Sequence, residues 1–241
     1  MTYKPNEQAS VYFSYGTSFN PSAENLALSA SNRALPPEKD RTFELGAKAQ
    51  VLAQRLSVSG ALFDTEMINA RITDPLQPTV QALAGTEKVK GLEIGAQGYL
   101  TQEWEIVAGY TYLDAHAVGL AAPGVEGPIP NTARHQANLW TTYEFTGGFE
   151  VGSGVNFIGE RQAGTDTQFI PGAVSVPRVP GYLTWDAMVG YRFSKMFSLQ
   201  LNGLDLTDRF YFVNSYFTRP NENHTVPGAG RTLLLTARAD L

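Results

Sequence analysis

Three histidines come first when looking for chemistry: His116, His135 and His224. None sits in an H-E-x-x-H or comparable metal spacing, and each stands in or beside a Pro- or Gly-bearing link, where imidazole is more often a hydrogen-bonding group than a ligand. Asp114 and His116, two residues apart, share one face of an extended strand and could form half of an acid–base pair, but no nucleophile or third orienting group accompanies them. The VPGAGRT run (Val226–Thr232) is glycine-rich, yet it lacks a phosphate-loop lysine and leads into a strand, so its glycines shape the approach to that strand. In LDLTDR (Leu204–Arg209), the Asp and Thr side chains are suited to bonding nearby backbone and closing the upper end of a strand. With no cysteine there is no disulfide, iron–sulfur or thiolate metal chemistry. The residues describe no catalytic constellation, and the expectation is a protein that is not an enzyme and has no resident cofactor.

The elements that position these residues alternate with a period of two. Leu183, Trp185, Ala187, Val189, Tyr191 and Phe193 oppose Thr184, Asp186, Met188, Gly190 and Arg192. Trp104, Ile106, Ala108, Tyr110 and Tyr112 likewise oppose Glu105, Val107, Gly109 and Thr111. Similar rows begin at Val11, Phe43, Ala137, Phe149 and Leu233, and each marks a strand with one apolar side. About ten such segments are present, many near the 9–11 residues that cross a bilayer when tilted. No segment approaches the roughly 18 consecutive apolar residues of a membrane helix.

The links between strands alternate in length. Leu52–Arg55, Thr101–Trp104, Phe145–Phe149 and Ser194–Met196 are short, whereas Asn20–Arg41, Thr65–Lys88, Ala115–Arg134, Glu160–Pro180 and Thr207–Arg231 are long. Transmembrane barrels have this parity, with short periplasmic turns and long extracellular loops. Trp104, Phe145, Phe149, Phe193 and Phe197 flank the short turns, and Tyr12, Tyr15, Tyr112, Phe157 and Phe210 are expected toward the long loops, as two interfacial girdles. Composition agrees without deciding: 43% apolar, 17% charged, 23 glycines. The net charge of −5, with no basic run, argues against a nucleic-acid partner.

Several separated stretches resemble the TonB-dependent siderophore receptors, most closely catecholate-type or hydroxamate-type members. They are ASVYFSYGTSFNPS, the PPEKDRTFELGAKAQ segment with its continuation to RITDP, VKGLEIGAQGYLTQEWEIVAGYTYLDA, PNTARHQANLWTTYEF, VPGYLTWDAMVGYRFSKMFSLQLNGLDLTDRFY and VPGAGRTLLLTARADL. The order is kept and essentially all of residues 1–241 is covered.

The resemblance implies an all-β fold: antiparallel transmembrane strands forming the C-terminal portion of a barrel of about 22 strands, an open curved sheet or partial barrel by itself. The plug domain and earlier strands would lie outside this chain, and MTYKPNEQAS carries no signal-peptide pattern. The family role is TonB-energised uptake of a ferric siderophore across the bacterial outer membrane. Implied partners are the ferric siderophore as transported ligand, outer-membrane lipid, and the TonB energy-coupling protein through the absent N-terminal region. Oxygen-rich anionic ligands suit Arg and aromatic contacts, which singles out Arg161, Arg178, Tyr216, Phe217 and Arg219 on the long-loop side. Family members usually end in an aromatic residue, whereas this chain ends in Leu241. The alternative is an autonomous ten-stranded barrel, a hydrolase or small-solute channel. An open sheet would expose backbone edges at Ser10–Gly16 and Thr232–Leu241 and need detergent.

Overall fold

The computed structural model describes residues 1–20, 36–74, 77–118, 126–163, 178–219 and 222–239, except for the side chains of 71–84 and 216–223. The first six strands are β1 (Thr2–Asn6), β2 (Ala9–Asn20), β3 (Glu38–Val51), β4 (Leu56–Asp74), β5 (Gln77–Tyr99) and β6 (Trp104–Val118). A short β7 (Glu126–Pro128) precedes β8 (His135–Phe145), β9 (Phe149–Ile158) and the two-residue β10 (Arg161–Gln162) and β11 (Arg178–Val179). The last are β12 (Tyr182–Arg192), β13 (Phe197–Leu204), β14 (Phe212–Arg219), β15 (Glu222–Pro227) and β16 (Thr232–Ala239).

One antiparallel sheet runs β1-β2-β3-β4-β5-β6-β8-β9-β12-β13-β16, with β7 added to β6. It is open, with β1 and β16 as its edges, so the autonomous closed barrel is not the architecture. Its path holds eleven strands where alternation predicts about ten. The extra one is β1, whose Lys4 and Pro5 obscure any apolar period; Pro is tolerated on an edge. The first edge is therefore β1, and the lower part of Ser10–Gly16 is covered, with Val11 opposite Tyr3 and Tyr12 opposite Thr2. The other expected edge is β16, exposed along its whole length. Leu241 lies outside the described residues.

Register puts the apolar rows side by side. Leu45 pairs with Leu62, which pairs with Leu92, and farther along Phe157 pairs with Leu183. Leu45, Leu62, Phe157 and Leu183 are exposed and Leu92 is half-buried; Ile94, Leu139, Trp185, Leu201 and Leu235 are exposed too. An apolar face this large without a covering layer is what a lipid-facing wall presents. Two indoles on it are satisfied within the sheet: the Trp185 N–H donates to Ser153 Oγ at 2.8 Å and that of Trp104 to Thr141 Oγ1 at 2.6 Å. The opposite face carries Glu44, Lys48, Glu93, Gln97, Asn138, Glu150 and Arg192 in matching registers.

The short links stand as expected, and Trp104, Phe145, Phe149, Phe193 and Phe197 are exposed around them. Tyr12 departs from its expected place. It lies near the short-link end and its hydroxyl donates to Glu44 on the polar face. Thr65–Lys88 also departs from a long loop: β4 and β5 continue as one hairpin, Thr65 opposite Val89 through to Asp74 opposite Gln77. Backbone pairing can outlast the apolar alternation, because the ladder needs no buried face. The Thr207–Arg231 link likewise contains the β14–β15 hairpin.

Candidate functional site

At the long-link end of the polar face, three links converge: Ala115–Arg134, Glu160–Pro180 and Thr207–Arg231. Arg161, on β10, is only 4% exposed. Its Nη2 donates to the Phe212 carbonyl at 2.6 Å, and its guanidinium lies 5.9 Å from the Tyr182 ring centre. Tyr182 packs 4.3 Å from Tyr211, which fills the space a side chain at Gly228 would need. Burial, then Tyr182, Asp205 and Asp186, raise the Tyr211 phenol above its usual pKa, so it stays a neutral donor. Arg161 Nη1 and Gln162 Oε1 are buried with no partner among the described residues. A desolvated guanidinium with one unfilled arm is a costly arrangement that an anion would relieve.

Beside Arg161 opens a cleft of ≈ 370 Å³ lined by Leu113, Ala115, Thr132, Arg134, Glu160 and Arg178 among others. Arg178 Nη1 is 2.6 Å from Glu160 Oε1, and Arg134 Nη2 is 3.7 Å from Asp114 Oδ1. Three arginines thus face one carboxylate inside the cleft and a second at its rim, which makes this flank attractive to anions. The far flank is acidic: burial first, then Glu38 and Asp40, raise the pKa of Glu87.

The β14–β15 hairpin is hung over this end by Asn131. Its Nδ2 donates to the Ser215 carbonyl at 2.6 Å and its Oδ1 accepts from the Ser215 N–H at 3.1 Å, across 84 residues of chain. Asn131 has φ 57°, a left-handed conformation that Asn tolerates better than most residues. Asn131→Ala leaves the buried Ser215 carbonyl unpaired, while its N–H keeps Asn214 Oδ1 at 2.8 Å. The expected loss is about 1–3 kcal/mol, confined to the hairpin. Hydrogen exchange of the 212–227 amides should then accelerate tens of fold while β8 and β9 stay unchanged. Uniform acceleration would show that the clamp supports the whole sheet instead.

The family description "TonB dependent receptor-like, beta-barrel" matches residues 1–206. This chain belongs to the TonB-dependent receptor β-barrels. The probable TonB-dependent receptor BfrD of Bordetella pertussis is 33% identical over 98% of this chain, which spans 32% of that protein. The crystal structure of the siderophore receptor PiuA from Acinetobacter baumannii matches 98% of this chain at 32% identity and TM-score 0.82, over 34% of its own length. The ferric-catecholate import receptor Fiu of E. coli K12, in its closed form, matches 99% at 32% identity and TM-score 0.82, again over 34% of its length. The chain therefore spans about a third of the relatives it matches.

TonB-dependent receptor barrels of this family are outer-membrane proteins, so the polar face lines the lumen and the apolar face meets lipid. Of the residues singled out from sequence, Arg161 and Arg178 come together at the receptor's cleft, one buried as an anchor and one exposed. Tyr216, Phe217 and Arg219 lie on β14 opposite His224, Asn223 and Glu222, and their side chains lie outside the described residues. Sequence reasoning passed over Arg134, Tyr182 and the Asn131 clamp. Only the Pro-Asn turn at 130–131 carried a signal that could have flagged the last. The LDLTDR segment does close a strand end: Asp205, 4% exposed, accepts from Thr207 Oγ1 at 3.0 Å and from the Arg209 N–H at 2.9 Å.

Proposed function

We propose that this chain is the C-terminal part of the barrel wall of a ferric-siderophore receptor, and that its arginine cleft takes the ligand at the extracellular mouth of the lumen. The whole receptor would be energised through a TonB-type coupling protein reached by a region outside this chain, and the ferric ion is cargo. The observation that carries the reading is the convergence of Arg134, Arg161 and Arg178 on one cleft beside a single Glu160. No covalent step is needed. The wall binds and orients, and release would follow movement of a plug.

The charge balance favours a catecholate ligand. A ferric tris-catecholate is triply negative, whereas a ferric tris-hydroxamate is neutral, and only the first is drawn by desolvated arginines. Tryptophan quenching of the chain folded in detergent tests this. The tris-catecholate complex should bind about 10-fold or more tighter than the tris-hydroxamate, with the preference lost in Arg134→Ala/Arg178→Ala. Equal binding of the two complexes, or an unchanged preference in the double variant, would remove the cleft from ligand recognition.

A further inference from the structure

The lipid-facing surface is not uniformly apolar. Just above the Leu45–Leu62–Leu92 row, the outward positions change character within two residue pairs. Phe43, Asp64, Lys90 and Asp114 form the next row, followed by Arg41, Glu66, Lys88 and His116, and then by Lys39, Ile68 and Thr86. Glu66 holds Arg41 on one side and Lys88 (3.7 Å) on the other, and Asp64 holds Lys90 at 3.3 Å. Lys39 is exposed and makes no ion pair among the described residues. Four cations, Lys39, Arg41, Lys88 and Lys90, therefore share these rows with three carboxylates, Asp64, Glu66 and Asp114, and the last also lies 3.7 Å from the Arg134 guanidinium. Lys90 and Asp64, 64% and 50% exposed, offset each other, whereas around Glu66, 18% exposed, the side chains of Arg41 and Lys88 stand out at 59% and 46%, so that part of the surface shows positive charge.

The height of this row is set by the strand. From Val51 at the short-turn end of β3 to Arg41 is ten residues, about 33 Å of strand and about 25 Å of height at the usual barrel tilt. That matches the thickness of the apolar band, so the cations stand at the outer-leaflet headgroup level. Next to them a cleft of ≈ 450 Å³ is lined by Tyr15, Phe19, Ile68, Lys39, Arg41 and Glu66 among others. Asp40 also borders it, but its carboxylate accepts from Ser18 Oγ at 3.0 Å on the lumen side. Phe19 and Tyr15 are 70% and 57% exposed. Cations above and aromatic carbons beside them complement a lipid whose phosphates lie at the interface and whose acyl chains begin just below.

We propose that Lys39, Arg41 and Lys88, with Tyr15, Phe19 and Ile68, form a binding site for the phosphorylated headgroup of an outer-leaflet glycolipid. The half-buried Glu66 spaces Arg41 and Lys88 so that both can face phosphate, and Lys39, with no ion pair among the described residues, supplies a further charge. The site is on the opposite side of the wall from the arginine cleft and does not depend on what that cleft binds.

Native mass spectrometry of the chain folded in an uncharged maltoside detergent tests the site, with bisphosphorylated lipid A as the probe. One lipid should stay bound, and its dephosphorylated analogue should bind about 10-fold more weakly. Lys39→Glu/Lys88→Glu should lower retention about 10-fold or more, while Lys48→Glu on the lumen face leaves it unchanged. Lys39→Glu alone breaks no ion pair among the described residues and so spares folding; it should still lower retention about fivefold. Equal retention of the dephosphorylated lipid, or no loss in Lys39→Glu, would overturn the proposal. Full displacement of lipid by inorganic phosphate would also overturn it, by showing a site for the free anion alone.

Discussion

Leu62→Arg is expected to destabilise the chain folded in a bilayer by about 2–4 kcal/mol, because it places a charge near the middle of the lipid-facing belt. Leu62 is 57% exposed and sits between Leu45 and Leu92 in register, so neither neighbour offers a counter-ion. Gln97→Arg, on the opposite face of the adjacent strand, is expected to cost little, since that face is polar and wet in the barrel. Equilibrium unfolding by denaturant in phospholipid vesicles would measure both. The difference between them is the informative quantity: two substitutions adding the same side chain separate only if the faces meet different solvents. A Leu62→Arg variant as stable as Gln97→Arg would contradict the membrane orientation of the sheet.

Gly154→Val is expected to cost about 3 kcal/mol or more, or to prevent β9 from docking. Gly152 and Gly154 both face the lumen from β9, and the Trp140 indole of β8 lies across them. A Cβ at Gly154 would stand 2.4 Å from Trp140 Cε3 and 2.6 Å from the Leu139 carbonyl oxygen. The indole could swing away, but the carbonyl belongs to the ladder and cannot move without breaking pairing. Gly16→Ala is the matched control, because a Cβ there meets nothing within 4 Å. Near-ultraviolet circular dichroism, reporting the Trp140 environment, together with the unfolding midpoint, would check the pair. A Gly154→Val variant with native Trp140 signal and unchanged midpoint would mean that β8 and β9 are looser than the contact distances imply.

By itself the sequence determined which residues share a face. Side-chain alternation is a property of the extended backbone, so Leu183, Trp185 and Val189 fall on one side wherever that strand is placed. It also determined where the chain turns: the links at 52–55, 146–148 and 194–196 are too short and polar for anything but a hairpin turn. The family motifs were legible for the same reason, being runs within single strands. What the links do was decided by tertiary structure. Arg161 reads as an exposed loop cation, yet β10–β11 pairing and Phe212 enclose it. Asn131 reads as a turn residue, and its partner Ser215 is 84 positions away. Glycines 152 and 154 carry no signal of their own in the sequence, and only the fold lays Trp140 across them. These contacts depend on the register and curvature of several strands at once, which no local pattern encodes, whereas the two faces of each strand follow from backbone geometry alone.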